Sequence, residues 1–351
     1  MIKEIMHIVK AKIIGFLNGF LYFTPILLAN YRWRKYLRVL YCRNNEDMKE
    51  NEVPPVTNSF KSVVYMALSE TTFSGGLSDR LRGIVAIYSE CKRMGLPFRI
   101  VFEPLHLEDY LSPNQYDWRI NNDEICWNTS RVYPCVILTY HNNSRNIWQR
   151  FVQHAILAHF LKKPYKQIHV YSNMFCSDSE YTSLFRELFK PTRELRKLIV
   201  YHLEQLGGAG NYVSATFRFR QLLGDFKEGG AVLPEKERMP YIEKCIKAIE
   251  RLHERVPEKK ILVTADSHTF LEMLVKKRMP YVYVMPGRVV HIGFTANASK
   301  KTYMKSFLDM YMLSYASTVF LVRDKIMYHS GFPYRASLLN GTKYGEISLQ
   351  S

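Results

Sequence analysis

No Cys-x-x-Cys pair, no Asp-x-Asp and no Gly-x-Gly-x-x-Gly occurs in this chain, and acidic residues are scarce, 32 against 49 lysines and arginines. The first absence leaves Cys42, Cys91, Cys126, Cys135, Cys176 and Cys245 scattered, which excludes a zinc ribbon and a disulfide scaffold and implies reduced, cytoplasmic thiols. The second removes the paired carboxylates that hold a divalent cation on a diphosphate, so no metal site is expected. The third removes the usual dinucleotide fingerprint. A net charge of +17 favours anionic partners, yet there is no arginine-glycine tract, finger spacing or basic tail, so nucleic acid is not among them. The chain has 351 residues, 47% of them hydrophobic and 14% aromatic, enough for two domains with real cores.

Long hydrophobic runs are nearly absent too. The one candidate, residues 13–31, carries no charge and is flanked by Lys10 and Lys12 before it and Arg32, Arg34, Lys35 and Arg38 after it. Its length is at the lower edge of the roughly 20 residues a span needs, and Gly15, Asn18, Gly19 and Pro25 weaken it. Two readings stay open: a helix lying on the anionic inner face of the cytoplasmic membrane, or a helical segment packed on the protein body. Residues 44–59, with Pro54-Pro55, read as a linker.

What is present is alternating strand and helix. Residues 61–68 read as a strand, followed by Gly75-Gly76 and a helix over about 78–93 with Leu81, Ile84, Val85 and Tyr88 as its apolar stripe. Two glycines between strand and helix let a backbone approach an anionic ligand. Arg80 and Arg82 lie off the stripe, so they either reach a ligand or remain solvated. Strands follow at 98–102, 135–140 and 167–171, with helices at about 146–161 and 180–206. The tyrosine- and tryptophan-bearing stretch 109–127 is either a platform for a sugar ring or a packed excursion. His154 and His159, five apart on a helix, do not share a face as metal ligands would, and read as structural.

Gly207-Gly208-Ala209-Gly210 marks a boundary, giving segments 1–60, 61–206 and 207–351. Beyond it, YVSATFRFRQLLGDFKE (212–228) reads as a strand that delivers Arg218 and Arg220, on one face with Ser214 and Thr216, to its carboxyl end. Two guanidinium groups there form a clamp for phosphate oxygens, or they pair with carboxylates. A helix at 239–256, strand 261–265, helix 270–277, strand 281–284, helix 302–314, strand 319–322 and a short helix after Phe332 complete a second doubly wound unit. The fold class is therefore α/β, two Rossmann-like doubly wound domains facing a cleft, the GT-B architecture.

Five stretches in order, GGLSDRLRGI (75–84), FRFRQLLGDFKE (217–228), ILVTADSHTFLE (261–272), SFLDMYMLSYA (306–316) and MYHSGFPYRASLL (327–339), resemble motifs of the GDP-fucose-dependent fucosyltransferases. That superfamily includes the α1,6-fucosyltransferases, the bacterial nodulation fucosyltransferases and the protein O-fucosyltransferases. The resemblance covers residue 61 to the end and rests on order and spacing. It implies that Arg220 contacts the donor diphosphate, with Arg218 where the family commonly has histidine. It further implies donor contacts from Asp266, Ser267, Asp309, Ser330 and Gly331, while Gly75-Gly76 forms the facing loop. Glu228 or Asp225 would be the base. The implied activity is transfer of fucose from GDP-fucose to a hydroxyl of a glycan or lipid-linked saccharide, with inversion, no cofactor and no metal. A transferase for another nucleotide sugar and a non-catalytic binding protein of the same fold are the alternatives.

Overall fold

A computed structural model describes residues 61–68, 75–128, 130–139, 147–225, 230–292 and 299–349. The uncharged run 13–31 and the linker 44–59 lie outside these residues. The chain divides into two compact units, one built mainly from residues up to Leu188 and one from Phe189 onward, with Gly76–Ser78 and Pro104–Asn114 belonging to the second.

The first unit is a four-stranded parallel sheet. Strand β1 (Ser62–Ala67) leads into helix α1 (Leu77–Met94) and β2 (Phe98–Phe102). After β3 (Leu111–Pro113), which belongs to the second unit, come β4 (Val132–Ile137), α2 (Ile147–Leu161), β5 (Gln167–Ser172) and α3 (Asp178–Leu188). The sheet order is β2-β1-β5-β4. β1 and β5 are inner strands, buried at every position but Ser62; β1 is almost wholly apolar, while β5 buries Gln167, His169 and Ser172 among its apolar residues. Asp79 in the first turn of α1 and Lys92 and Arg93 in its last complement the helix dipole. Leu81, Ile84, Val85 and Tyr88 are buried, as their spacing predicts. Gly83 sets how close α1 comes to the sheet: a Cβ there would lie 1.7 Å from the Ser172 carbonyl oxygen. Strand β4 begins three residues before the expected Cys135, because Pro134 sits on an edge strand where its missing N–H costs no ladder bond.

The second unit opens with β6 (Phe189–Pro191), paired antiparallel with β3, then α4 (Arg193–Gln205). Next come β7 (Tyr212–Phe217), α5 (Glu235–Arg255), β8 (Lys260–Ala265), α6 (His268–Lys277), β9 (Val282–Val284), α7 (Lys300–Ser314), β10 (Thr318–Arg323), α8 (Phe332–Asn340) and β11 (Lys343–Ser348). The sheet is parallel throughout in the order β11-β10-β7-β8-β9, so β7 is central and every residue of it is buried. Phe217, Phe219 and Phe270 stack in the core beside Ile242, Ile246 and Ile249 of α5. The chain passes into this unit at Phe189, ahead of the glycine run the sequence points to. The reason is that α4 packs on α7 and its His202 bonds Tyr283 Oη of β9 at 2.7 Å. The glycines take left-handed φ values of 81°, 101° and 79° at 207, 208 and 210 and turn the chain from α4 into β7.

One buried histidine makes the first unit acid-sensitive. His169 of β5 is fully enclosed, its Nε2 donating to Gln167 Oε1 at 3.0 Å, and burial pushes its pKa down to about 3. Below the ordinary value of 6.5 the unfolded chain takes up a proton that the folded chain refuses, so stability falls as pH falls. Between pH 7 and pH 5 the loss is about 2 kcal/mol. Denaturant titrations at the two pH values should show this drop, and His169→Asn should abolish it. An unchanged pH slope in the variant would contradict the assignment.

Candidate functional site

The arginines of the two units have different fates. Arg80 is fully buried, donating from Nε to the Gly75 carbonyl at 2.8 Å and from Nη1 to the Glu103 carbonyl, with its guanidinium 5.2 Å from the Phe102 ring centroid. Arg82 pairs with Asp79 at 3.0 Å and lies 3.7 Å from the Phe175 ring. Neither is solvated, which corrects one of the two expectations: both brace α1. The Gly75 N–H is taken by Tyr171 Oη at 2.8 Å, and a Cβ on Gly75 would stand 2.7 Å from Asp79 Cβ. Gly76 has His291 beside it, 3.3 Å from where a Cβ would be.

The aromatic stretch is also turned inward. Trp118 is wholly buried and donates to the Leu188 carbonyl at 2.8 Å; Tyr110 stacks flat on Phe307 at 4.4 Å; Tyr116 Oη accepts from Phe98 N at 2.7 Å. Packing holds these rings, and the sugar-platform reading finds no exposed ring among those three. His154 bonds Glu90 at 2.8 Å, in keeping with a structural role.

In the second unit the candidate residues meet at the carboxyl edge of the sheet, where open α/β folds bind ligands. β7 ends at Phe217, so both arginines stand just beyond the strand. Phe217 is in register with Ala265, which places Asp266, the residue after β8, opposite them. Its buried carboxylate accepts from Arg218 Nη1 (2.7 Å), Phe219 N (2.8 Å) and Arg220 N (2.7 Å). Burial pushes the Asp266 carboxyl upward in pKa, opposed by Arg218 and the two N–H groups. Arg220 adopts a left-handed backbone, φ 54°, which that last bond secures. Its guanidinium lies 5.1 Å from the Tyr328 ring, and Tyr328 N donates to the Arg218 carbonyl at 3.3 Å. The two arginines thus separate, Arg218 bound to a carboxylate and Arg220 aimed at the loop after β10.

Asp225 Oδ2 accepts from Ser267 Oγ (2.7 Å) and Thr269 N (2.8 Å), while Ser267 Oγ caps α6 through Phe270 N at 3.2 Å. Asp225 is therefore tied to the start of α6. Glu228 lies outside the described residues. Ser330 is buried and its Oγ accepts from Phe332 N at 3.3 Å, at the start of α8, with Gly331 at the cap. Asp309 of α7 is buried against Lys305 one turn earlier; burial pushes its carboxyl up and Lys305 pulls it back.

Two residues of this region escape sequence reasoning. Lys305 is a buried cation, and its spacing four before Asp309 was the available signal. His268, first residue of α6, has Nε2 enclosed without a hydrogen-bond partner, and burial with Arg288 and Lys305 nearby lowers its pKa against the pull of Asp225 and Glu272. Among the described residues no cluster of three or more His, Cys, Asp or Glu side chains could hold a metal ion. The arrangement gathers Arg218, Arg220, Asp266 and the starts of α6 and α8 at one edge of the sheet, with Arg218 paired to Asp266 and the start of α6 capped by Asp225.

No protein family profile matches this chain, and no curated protein does. Solved structures are similar in fold. The fucosyltransferase NodZ from Bradyrhizobium is 16% identical, with a TM-score of 0.51 over 80% of this chain and 94% of that one. A NodZ α1,6-fucosyltransferase crystal soaked with GDP-fucose gives the same identity and TM-score, over 80% and 93%. Arabidopsis thaliana FUT1, as a mutant bound to GDP, is 14% identical with a TM-score of 0.50 over 95% and 78%. POFUT1 in complex with GDP is 11% identical with a TM-score of 0.51 over 84% and 100%. At these identities the likeness establishes the fold, α/β with parallel Rossmann-like sheets of the GT-B kind.

The Asp266 junction is testable alone. Asp266→Asn leaves Arg218 without its counter-charge and should cost about 3 kcal/mol of stability. A double-mutant cycle with Arg218→Met should give a coupling of at least about 1 kcal/mol by chemical denaturation. Additive losses would contradict a clamp.

Proposed function

We propose that the protein is an inverting glycosyltransferase that moves fucose from GDP-fucose to a hydroxyl of a glycan or lipid-linked saccharide. The observation that carries the reading is Arg220: a guanidinium at the carboxyl end of the central strand, its backbone held in a left-handed turn by a neighbouring carboxylate. The support from outside the chain is likeness in fold to NodZ soaked with GDP-fucose and to FUT1 and POFUT1 bound to GDP.

The chemistry asks for few parts. The bond from the acceptor oxygen to the anomeric carbon forms as the bond from that carbon to the phosphate oxygen breaks. GDP departs with the bonding electrons, and the acceptor proton passes to a base. Arg220 and the start of α8 stabilise the departing diphosphate, since oriented donors gain strength where charge develops. Asp225 is bound to Ser267 and Thr269, so we assign it to positioning α6 and give the base role to Glu228. Asp309 with Lys305, Ser330 and Gly331 complete the donor side. The five described cysteines, Cys91, Cys126, Cys135, Cys176 and Cys245, are free. None of the described helices is long and apolar enough to cross a membrane. A second reading, transfer from another nucleotide sugar, is favoured by Arg218 standing where the family commonly has histidine.

Arg220→Lys keeps the charge and loses the planar fork, so kcat/KM for GDP-fucose should fall on the order of 10²–10³-fold with the melting temperature nearly unchanged. Near-normal turnover would remove Arg220 from the mechanism. Because the positive charge comes from side chains, transfer should persist in excess EDTA. Full loss in EDTA, restored only by manganese, would contradict the metal-free route.

A further inference from the structure

Residues 324–331, between β10 and α8, have no helix or strand of their own, yet they carry Tyr328, Ser330 and Gly331 to the edge where Arg220 stands. Ordering such a segment costs conformational entropy, so it needs anchors. Asp324, the first residue after β10, supplies the first of them. Its side chain is only 9% exposed, and its Oδ1 accepts from Tyr241 Oη at 2.8 Å, Ile326 N at 3.1 Å and Met327 N at 3.2 Å. Its Oδ2 lies 3.6 Å from Lys244 Nζ. Tyr241 and Lys244 belong to α5, so the segment is fastened to a helix that packs on the same core, into which Met327 is also buried. Farther along, His329 Nε2 lies 2.8 Å from Glu346 Oε1 of β11, whose Oε2 accepts from Arg323 Nε at 3.0 Å. Between these anchors Tyr328 N donates to the Arg218 carbonyl at 3.3 Å, and the Tyr328 ring lies 5.1 Å from the Arg220 guanidinium.

Two observations single out Asp324. Burying a carboxylate is costly unless donors surround it, and two of its donors are N–H groups of the loop itself. The pairing of β10 with β11 ends at Arg323 and does not use Asp324, so this carboxylate orders the loop and not the sheet. The second observation is that Tyr241 also meets the arginine turn: its ring stands edge-on to Phe219 at 6.4 Å, and Phe219 N donates to Asp266. Phe219 lies between Arg218 and Arg220. One tyrosine therefore joins the turn bearing Arg220 to the loop bearing Tyr328. Burial and the hydrogen bond to Asp324 push the Tyr241 hydroxyl far above its ordinary pKa, so it remains a donor at neutral pH. We propose that Asp324, fastened by Tyr241, is a positioning residue that sets residues 324–331 so that Tyr328 holds the Arg220 guanidinium toward a nucleoside diphosphate. An aromatic face orients a guanidinium without using the in-plane N–H donors that phosphate oxygens need. This role rests on the reading that Arg220 receives the diphosphate of the donor.

The test is the affinity of the full-length protein for GDP, with UDP and ADP beside it, by isothermal titration calorimetry. Asp324→Ala should weaken GDP binding about tenfold in the wild-type background and less than about threefold in Tyr328→Leu, because its effect passes through that ring. A merely structural role would give equal losses in both backgrounds. Asp324→Asn, whose amide oxygen still accepts from Ile326 N and Met327 N, should lose less than about threefold. Without any ligand, Asp324→Ala should speed amide exchange at residues 326–328 about tenfold while β7 stays protected. Equal losses of GDP affinity in the two backgrounds, a loss in Asp324→Asn as large as in Asp324→Ala, or unchanged exchange at residues 326–328 would each overturn the proposal and leave the donor reading in place. Wild-type protein that binds UDP or ADP but not GDP would sink the donor reading, and the same two-background comparison with that nucleotide would then decide the role of Asp324. Binding of none of the three would overturn both.

Discussion

One carboxylate, Asp266, receives three donors from the residues that follow the central strand: the Arg218 guanidinium and the N–H groups of Phe219 and Arg220. The rest of the site depends on that convergence. A left-handed turn at a residue other than glycine costs roughly 1–2 kcal/mol. A hydrogen bond to a charged group is worth about 1.5–3 kcal/mol. Three such bonds outweigh the strain, so Arg220 is held in a conformation its own preferences disfavour. Because Asp266 is itself fixed by the β7–β8 register, the aim of Arg220 is set by the sheet and not by a loop.

The surroundings extend the same logic. Thr216 and Thr264 join hydroxyls at 2.9 Å one step inside the edge, keeping the two strands in step below the arginines. Asp225 and Ser267 cap the start of α6, the carboxylate offsetting its partial charge, and Ser330 fastens the start of α8. A Cβ on Gly287, at φ 108°, would stand 3.5 Å from Lys305 Cδ, so this glycine lies beside the buried Lys305–Asp309 pair. A preorganised cluster of this kind needs little rearrangement when an anion departs.

Much of the fold was legible because its signals are local. β2 (98–102) and the inner strands β1 and β8 announce themselves as short, largely apolar runs between polar punctuation, and α1 by its stripe of Leu81, Ile84, Val85 and Tyr88. The short pair β3–β6 and the edge strand β11 escaped notice. Three-residue strands carry almost no periodicity, and Lys343, Gly345 and Glu346 give β11 a polar face. The site was legible as a set of residues but not as a set of partners. Arg80 and Arg82 look like solvated helix arginines until Phe102, Glu103 and Phe175 are brought up from elsewhere in the chain. Arg218 and Arg220 look equivalent by alternation, yet β7 stops at Phe217, and Asp266, 46 residues beyond Arg220, binds the Arg218 guanidinium while that of Arg220 lies 5.1 Å from the Tyr328 ring. Pairings across such separations are decided by tertiary register, which no window of sequence contains.

The central claim is that the carboxyl edge of the second sheet receives the diphosphate of a nucleotide sugar. A crystal structure of the full chain grown with GDP tests it most directly. The account predicts diphosphate oxygens within hydrogen-bonding distance of the Arg220 guanidinium, next to the starts of α6 and α8, with the Asp266 bonds to Arg218, Phe219 and Arg220 intact. Nucleotide bound away from that edge, or an Arg220 turned from the phosphates in a fully occupied complex, would contradict it.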